Sequence, residues 1–365
     1  MGEVCRKNEI LEEKMTGTDN TGINPAAQHK KKAYFAMCKV TVLLFVFTVL
    51  SSSASVLISE MLALLSEPLE FLLAKLLMLF GMRKTTSICV AIEFFSSAAF
   101  YESISMLASV ITMIIPTLVF VKLTKMTSEE CFEVRGKTVK CLPLIFCVCQ
   151  LLTMSALVFS QTVYGFFVPD GMGGTSTGLG GELDTAGIIM RVINVCIFVP
   201  VAEEFVFRGV MFSYLKKYGL SFAVVASAML FGVAHSSPVQ TVYAFVFGVL
   251  VAFLACVTGN IKTGIVLHAL NNFVTVMTEY LGTKTDASTF NSIYAAYTCI
   301  VLMVSFFGIY RMVVSDDLFG KYRICAKQND LCIEEHPGLG QIMTIPMIFF
   351  VVNYAMNTAM GVLLQ

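Results

Sequence analysis

The sequence predicts an all-α fold, a polytopic bundle of transmembrane helices, and composition and the spacing of apolar runs are the observations that predict it. Of the 365 residues, 56% are hydrophobic and 14% are charged, and the mean hydropathy is +0.78. Soluble domains carry about 45–50% apolar and about 25% charged residues, so the composition argues against a soluble fold. Twenty-five basic residues balance 25 acidic ones. This zero net charge gives no electrostatic basis for binding nucleic acid.

The chain begins with a polar arm, residues 1–32, which ends in a basic run from His29 to Lys32. Because a polar tract of this length precedes the first apolar run, we expect a cytoplasmic arm and not a cleavable signal peptide. The rest divides into N-terminal membrane helices over 33–185, a core over 186–285 that carries the motifs described below, and C-terminal membrane helices over 286–365.

The apolar runs predict eight to eleven membrane helices, because a helix that crosses a bilayer needs about 17–25 mostly apolar residues. The second run contains Glu60, Glu67, Glu70 and Lys75, so it is either an interfacial amphipathic helix or a helix that faces the bundle. The third run is short. The candidate spans are 34–57, 59–81, 86–101, 104–121, 141–165, 187–212, 220–236, 241–258, 263–280, 291–311 and 341–363.

Basic residues fall in alternate connections between these spans, and this alternation predicts the orientation of the bundle. We expect a cytoplasmic N-terminus and a Gly-rich loop at 166–186 on the far side of the membrane. The loop lacks the Lys-Ser/Thr pair of a P-loop, so we interpret it as a linker and not as a nucleotide site. No targeting or retention motif occurs, and the expected location is therefore a bacterial plasma membrane.

Six polar side chains interrupt a central stretch that is otherwise dominated by Val, Phe, Leu and Ala. An ionisable side chain inside hydrocarbon costs a few kcal/mol, so each one requires a partner or a function. The six residues are Glu203, Glu204, Arg208, His235, His268 and Asn272.

The helical spacing of these residues pairs some of them. Glu204 and Arg208 stand at i, i+4 on one face, with the acid N-terminal, which is the favourable order for an ion pair. Glu203 points about 100° away from that face, given 3.6 residues per turn, and stays available for proton chemistry. His268 and Asn272 also share a face at i, i+4. The alternative for each group is structural, as a buried ion pair, a helix cap at His235, or polar contacts that join helices.

Glutamate, histidine and asparagine in a dry cavity suit the hydrolysis of an amide bond. A carboxylate can act as the general base on water. Histidine and an amide N–H can donate hydrogen bonds to the oxyanion of a tetrahedral intermediate. The same residue types can hold zinc, with Glu203, His235 and His268 as three ligands and water as the fourth. The residues leave both mechanisms open.

The three motifs together resemble a known family, the CAAX-protease and bacteriocin-processing (CPBP) intramembrane proteases, which include the type II CAAX prenyl endopeptidases. The resemblance covers about residues 190–280. The motifs of the family, E-E-x-x-x-R, F-x-x-x-H and H-x-x-x-N/D, occur in the family's order as Glu203-Glu204-x-x-x-Arg208, Phe231-x-x-x-His235 and His268-x-x-x-Asn272.

The resemblance implies a role for each motif residue. Glu203 and His235 would activate the attacking water, and His268 and Asn272 would stabilise the oxyanion. The supporting residues would be Glu204 and Arg208. The family is described both as metalloproteases and as glutamate proteases, so zinc stays an alternative. The expected partners are a peptide or lipidated protein substrate and membrane lipids, with the oligomeric state left open.

Two other functions and one geometric difficulty accompany this interpretation. The protein could be a catalytically inactive immunity or scaffold protein, or a proton-coupled transporter, although no internal repeat supports the transporter. At about 1.5 Å per residue, His268 lies about 9 Å along its helix from Lys262, and His235 about 27 Å from Lys217. Simple up-and-down helices would not bring both histidines to one depth. The helix over 220–236 is then tilted or re-entrant, or Lys217 is not at the surface.

Overall fold

The structure is a computed structural model, and it describes residues 25–131, 142–167, 185–235, 237–315, 320–321, 323–324, 337–348 and 351–352. Across these ranges the regular structure is helical and no strand occurs. The predicted all-α class is therefore confirmed. The helices are α1 (Pro25–Leu79), α2 (Lys84–Ser96), α3 (Ala98–Thr124), α4 (Ser128–Cys131), α5 (Leu142–Phe167), α6 (Thr185–Tyr218), α7 (Leu220–Ala234), α8 (Pro238–Thr258), α9 (Lys262–Lys284), α10 (Ala287–Ser315) and α11 (Leu339–Ile342).

Six of the described helices are long and apolar enough to cross a membrane, which makes the protein an integral, multi-pass membrane protein. These six are α1 over its segment Ala27–Ile58, α3, α5, α6, α8 and α10. The number is lower than the predicted eight to eleven. The predicted spans 34–57 and 59–81 belong to one continuous helix, α1. The predicted span 86–101 is interrupted at Ser97: the part before Ser97 belongs to the 13-residue α2, and the part after it belongs to α3 together with the predicted span 104–121.

Several predicted segments lie wholly or partly outside the described residues. These are residues 1–24 of the polar arm, most of the Gly-rich loop at 166–186 and most of the candidate span 341–363. The last eight residues of the predicted arm, 25–32, form the first two turns of α1. The arm is therefore partly helical where the structure describes it.

Helix α7 lies in the middle of the core and is too short to span a bilayer. Its 15 residues reach about 22 Å, against about 30 Å of hydrocarbon. It is apolar on all sides, and a helix of that kind is buried among its neighbours. Eleven of its residues are buried, and it packs against α1, α6 and α8. The prediction of a membrane-spanning helix at 220–236 is therefore wrong.

The short length of α7 removes one assumption behind the difficulty over the depth of the histidines, that a membrane-spanning helix ends at His235. The chain leaves α7 at His235 and begins α8 at Pro238, with the Ser237 hydroxyl accepting the N–H of Gln240 at 3.5 Å. Proline fits the first helical position because it has no N–H to leave unpaired. His235 therefore lies at the end of a largely buried helix, and the Phe231 ring contacts both His235 and His268.

Helices α6 and α9 run antiparallel in contact, and α3 also packs against α6. Helix α8 packs on both α7 and α9. Close approach of α7 and α8 depends on two glycines. A Cβ at Gly232 would lie 2.8 Å from the Thr241 carbonyl oxygen, and one at Gly248 would lie 3.0 Å from Ala228 Cα. The polar motif residues lie where α6, α7, α8 and α9 meet.

Candidate active site

The two glutamates lie on α6 between two π-helical segments. These segments are Asn194–Phe198 and Phe205–Phe212, and the α-helical turn between them, Val199–Glu204, carries both acids. A π segment is rare, usually a single turn, and frequent at functional sites. The apolar spacing of the sequence predicts a plain helix here, so the π segments are a feature that sequence analysis missed.

Glu204 and Arg208 form a fully buried ion pair, which confirms the predicted i, i+4 pairing. Arg208 Nη1 donates to Glu204 Oε1 at 3.0 Å, and both side chains are 0% exposed. Arg208 Nη2 donates to the Gly248 carbonyl at 3.1 Å, and the guanidinium lies 4.5 Å from the centre of the Phe231 ring. A lone charge at this depth would be costly, so each member of the pair makes burial of the other tolerable.

His268 on α9 lies between the two adjacent carboxylates of α6. Its Nδ1 is 3.0 Å from Glu204 Oε1, and its Nε2 is 3.5 Å from Glu203 Oε2. A carboxylate only accepts, so Nδ1–H donates to Glu204. In the neutral ring Nε2 then carries the lone pair and faces Glu203. A single proton between Nε2 and Glu203 would therefore sit at the centre of the site.

Asn272 donates a hydrogen bond to a backbone carbonyl of α6 that has no donor within its own helix. The Val199 N–H donates to the Asn194 carbonyl in the π register, and Pro200 has no N–H. The Val195 carbonyl therefore has neither its α-helical nor its π-helical donor. Asn272 Nδ2 donates to it at 2.9 Å. One of the two amide hydrogens of Asn272 is used in this way, and the other is left for a ligand.

His235 lies beside the other motif residues without a direct hydrogen bond to them. Its Nδ1–H donates to the Phe231 carbonyl at 2.9 Å, which leaves Nε2 as the basic nitrogen. Among the described residues it makes no hydrogen bond to Glu203 or His268. The predicted cooperation of Glu203 and His235 therefore stays a prediction.

Phe231 is the shared wall of the site, a role that sequence analysis did not assign. Its ring centre lies 4.8 Å from that of His235 and 5.6 Å from that of His268, both edge to face. It also lies under the guanidinium of Arg208. Tyr243 on α8 has its ring centre 6.4 Å from that of His235 and lies close enough to Glu203 to interact with its charge. The F-x-x-x-H spacing was the signal for Phe231, whereas nothing in the sequence marked Tyr243.

A second charged cluster lies nearer the start of α6 and the end of α9, and sequence analysis did not select it. Arg191 Nη1 is 2.9 Å from Glu102 Oε1 and Nη2 is 3.6 Å from Glu279 Oε2. Asn194 Nδ2 donates to Glu102 Oε2 at 3.1 Å. Ionisable residues inside apolar runs were the signal that could have found this cluster, by the same argument that found Glu203.

The three residues predicted as zinc ligands do not form one ligand set. Glu203 and His268 lie together, and the described contacts of His235 are with the Phe231 carbonyl and with the Phe231 and Tyr243 rings. Within the described ranges, no group of three or more His, Cys, Asp or Glu is arranged to hold a metal ion. The site that the structure brings together contains Glu203, Glu204, Arg208 and His268, with Asn272 bonded to α6.

Comparison with known families supports the motif assignment. A family model described as type II CAAX prenyl endopeptidase Rce1-like matches residues 185–274, about a quarter of the chain. All six motif residues lie in this range. No curated protein and no solved structure matches the chain. The molecule is thus a multi-pass membrane protein with a domain of a peptidase family. For residues 185–274, the predicted resemblance to the CAAX proteases is confirmed.

Proposed function

We propose that the protein is an intramembrane endopeptidase that hydrolyses a peptide bond of a membrane-associated or lipidated peptide or protein. The CAAX-type tail and the bacteriocin-like peptide are the two substrate classes that the resemblance suggests. The observation that carries the proposal is the His268 ring between the Glu203 and Glu204 carboxylates, inside an apolar bundle. It supports a proton-transfer site, since a purely structural ion pair would need only Glu204 and Arg208.

In the proposed mechanism, Glu203 is the general base. Its side chain is 18% exposed, whereas that of Glu204 is 0% exposed and is already paired with Arg208. Glu203 takes a proton from water while the water oxygen bonds to the substrate carbonyl carbon, and the carbonyl π electrons move to oxygen. When this intermediate collapses, the C–N bond breaks and the leaving nitrogen takes the proton that Glu203 removed from water, either directly from Glu203 or passed on through Nε2 of His235.

His268 and Asn272 stabilise the oxyanion in this mechanism. The 3.5 Å between His268 Nε2 and Glu203 is longer than a good hydrogen bond, so a proton on Nε2 can be donated to an oxyanion. Asn272 can offer the amide hydrogen that does not bond Val195. Glu204 and Arg208 keep the ring of His268 in place from the other side.

Zinc is the alternative activator of water, and we assign no step to it because Glu203, His235 and His268 do not form a metal-holding group within the described residues. Were it bound, zinc would lower the pKa of its water ligand and polarise the substrate carbonyl. Treatment with a zinc chelator separates the two mechanisms. Lost turnover that returns when zinc is added assigns the metal, and unchanged turnover assigns direct activation by Glu203.

The test is cleavage of a panel of quenched fluorescent peptides, prenylated and unprenylated, by detergent-purified protein. Glu203→Gln removes the base with no change of size, and Glu93→Gln is the matched control, because Glu93 is an exposed glutamate of α2. We expect cleavage to be lost only in Glu203→Gln. Equal turnover in all three proteins would contradict the mechanism.

Absence of cleavage by the wild type on every peptide would favour an inactive immunity or scaffold protein. Proton-driven flux in proteoliposomes would favour a transporter instead. We also propose a bacterial plasma membrane with a cytoplasmic N-terminus, which labelling of single-cysteine variants from either side of sealed cells tests. Labelling of the N-terminal arm from outside would contradict this orientation.

A further inference from the structure

The cluster around Arg191 is costly inside a membrane, and the proposed chemistry does not use it. Two carboxylates, of Glu102 and Glu279, face the one guanidinium, and the side chains are 9% (Arg191), 15% (Glu102) and 22% (Glu279) exposed. Helix α3 supplies Glu102, α6 supplies Arg191 and α9 supplies Glu279. One cation therefore joins three helices, and charges within apolar helices need a partner or a function.

The cluster is the first of three polar contacts between α6 and α9, which we call the polar ladder. As the numbering rises along α6, it falls along α9, as it must for antiparallel helices. The three rungs are Arg191 with Glu279, the Val195 carbonyl with Asn272, and Glu203 and Glu204 with His268.

The position of the Arg191–Glu279 contact along α6 indicates what this contact does. The first π segment, Asn194–Phe198, lies between Arg191 and the glutamates. An extra residue in a helical turn rotates everything that follows it, so this segment sets the direction in which Glu203 points. Arg191 and Asn194 fix the start of the segment through Glu102, and Asn272 fixes it at Val195. A slip of one helical turn between α6 and α9 would be about 5.4 Å.

We infer that Arg191 is a positioning residue, which with Glu102 and Glu279 holds the register of α6 on α9 so that Asn272 and His268 face Glu203. The inference rests on the proposed function for its catalytic consequence. The geometric part, that Arg191 controls the environment of the Asn272 amide, stands without it.

The geometric part is tested by the NMR signal of the Asn272 side-chain amide in protein labelled with 15N-asparagine. The signal is assigned as the one that disappears in Asn272→Ala. We expect it to shift in Arg191→Met and to stay in place in Glu93→Gln. A signal unmoved by Arg191→Met would overturn the inference, even if the protein cleaves no peptide.

The catalytic part is tested by the kinetics of the same variants. Arg191→Met should lower kcat roughly 10- to 100-fold with KM little changed, because misplacement by about 1 Å can cost that much. Arg191→Lys, which keeps the charge but loses the forked geometry, should recover part of the rate. Because Arg191 is inferred to act partly through Asn272, the double variant Arg191→Met/Asn272→Ala should lose less rate than the product of the two single losses. Additive losses would overturn the inference, since a general loss of stability would produce them.

Discussion

Gly264 on α9 packs against the acid that supports the site, and a single methyl group there should disturb both stability and activity. A Cβ at Gly264 would lie 2.6 Å from Val251 Cγ1 and 3.1 Å from Glu204 Oε2. Val251 and Glu204 are each 0% exposed, so neither has open space into which to move. Gly264→Ala should therefore push the Glu204 carboxylate away from its present position against His268.

The expected change in the free energy of unfolding follows from two opposing effects. Alanine is better than glycine inside a helix by about 1 kcal/mol. Overpacking of a close-packed core costs about 1–3 kcal/mol. Gly282→Ala is the matched control, because it lies near the other end of the same helix and its nearest neighbour, Phe290 Cε2, is 3.7 Å away. Relative to Gly282→Ala, Gly264→Ala should be less stable by about 1–3 kcal/mol.

The assay is thermal unfolding in detergent micelles together with peptide cleavage for both variants. We expect Gly264→Ala to unfold at lower temperature and to cleave more slowly than Gly282→Ala. Adding Val251→Ala to Gly264→Ala removes the 2.6 Å contact and should restore part of both properties. If Gly264→Ala matched Gly282→Ala in stability and in cleavage, the described packing of Glu204 against α9 would be refuted.

Three further predictions concern the supports of the site and one helix cap. Pro200→Ala supplies a backbone N–H that can bond the Val195 carbonyl in competition with the Asn272 amide. We therefore expect slower cleavage without loss of thermal stability. An unchanged rate would contradict the role of Pro200. Phe231→Leu removes the cation–π contact with Arg208, which is worth about 0.5–2 kcal/mol of stability, and should slow cleavage in a protein that still folds. Full activity would contradict the role of the Phe231 ring in shaping the site. Asp286 caps α10, and hydrogen bonds, chiefly from Thr289, hold the pKa of the Asp286 carboxyl below its ordinary value. The pKa of the Asp286 carboxyl is lower in the folded protein than in the unfolded chain. The cap therefore stabilises the folded protein fully at a pH above the unfolded pKa, and this stabilisation is lost as the pH falls through the folded pKa. The wild type should therefore unfold at higher temperature than Asp286→Ala at neutral pH, and the difference should shrink in acid; a difference that grows in acid would contradict this sign.

The part of the site that could be predicted from the sequence is the part that lies on one helix. Glu204 and Arg208 pair at i, i+4 because a helix places every fourth residue on one face, whichever helices surround it. The six polar residues could also be selected from the sequence, because a polar or charged side chain in an apolar helix is costly whichever helices surround it. The resemblance to the CAAX proteases came from these six residues and Phe231 of the F-x-x-x-H motif.

The part that could not be predicted depends on which helices touch. Contact of His268 with Glu203 and Glu204 requires the antiparallel packing of α6 on α9, which no spacing in either helix encodes. The π segments shift the register by one residue, and an apolar pattern tolerates such a shift without a visible sign. The partner of Asn272 is a backbone carbonyl, so no side chain in the sequence could have indicated it.

Among the described residues, fewer helices are long and apolar enough to cross a membrane than there are apolar runs, for a physical reason of the same kind. Hydropathy measures whether a segment is apolar, but an apolar segment can be buried in protein as well as in lipid. Helix α7 is the example, since its 15 residues are covered by other helices on nearly every side. Continuity is also invisible to hydropathy, and α1 joins two predicted spans into 55 helical residues.

The measurement that tests the central claim most directly is the initial rate of peptide cleavage by Glu203→Gln beside the wild type and Glu93→Gln. Loss of a general base usually costs about 100- to 10,000-fold in rate. The proposed function predicts a loss of at least about 100-fold in Glu203→Gln and a normal rate in Glu93→Gln. A normal rate in Glu203→Gln would contradict the proposal that this carboxylate activates the water.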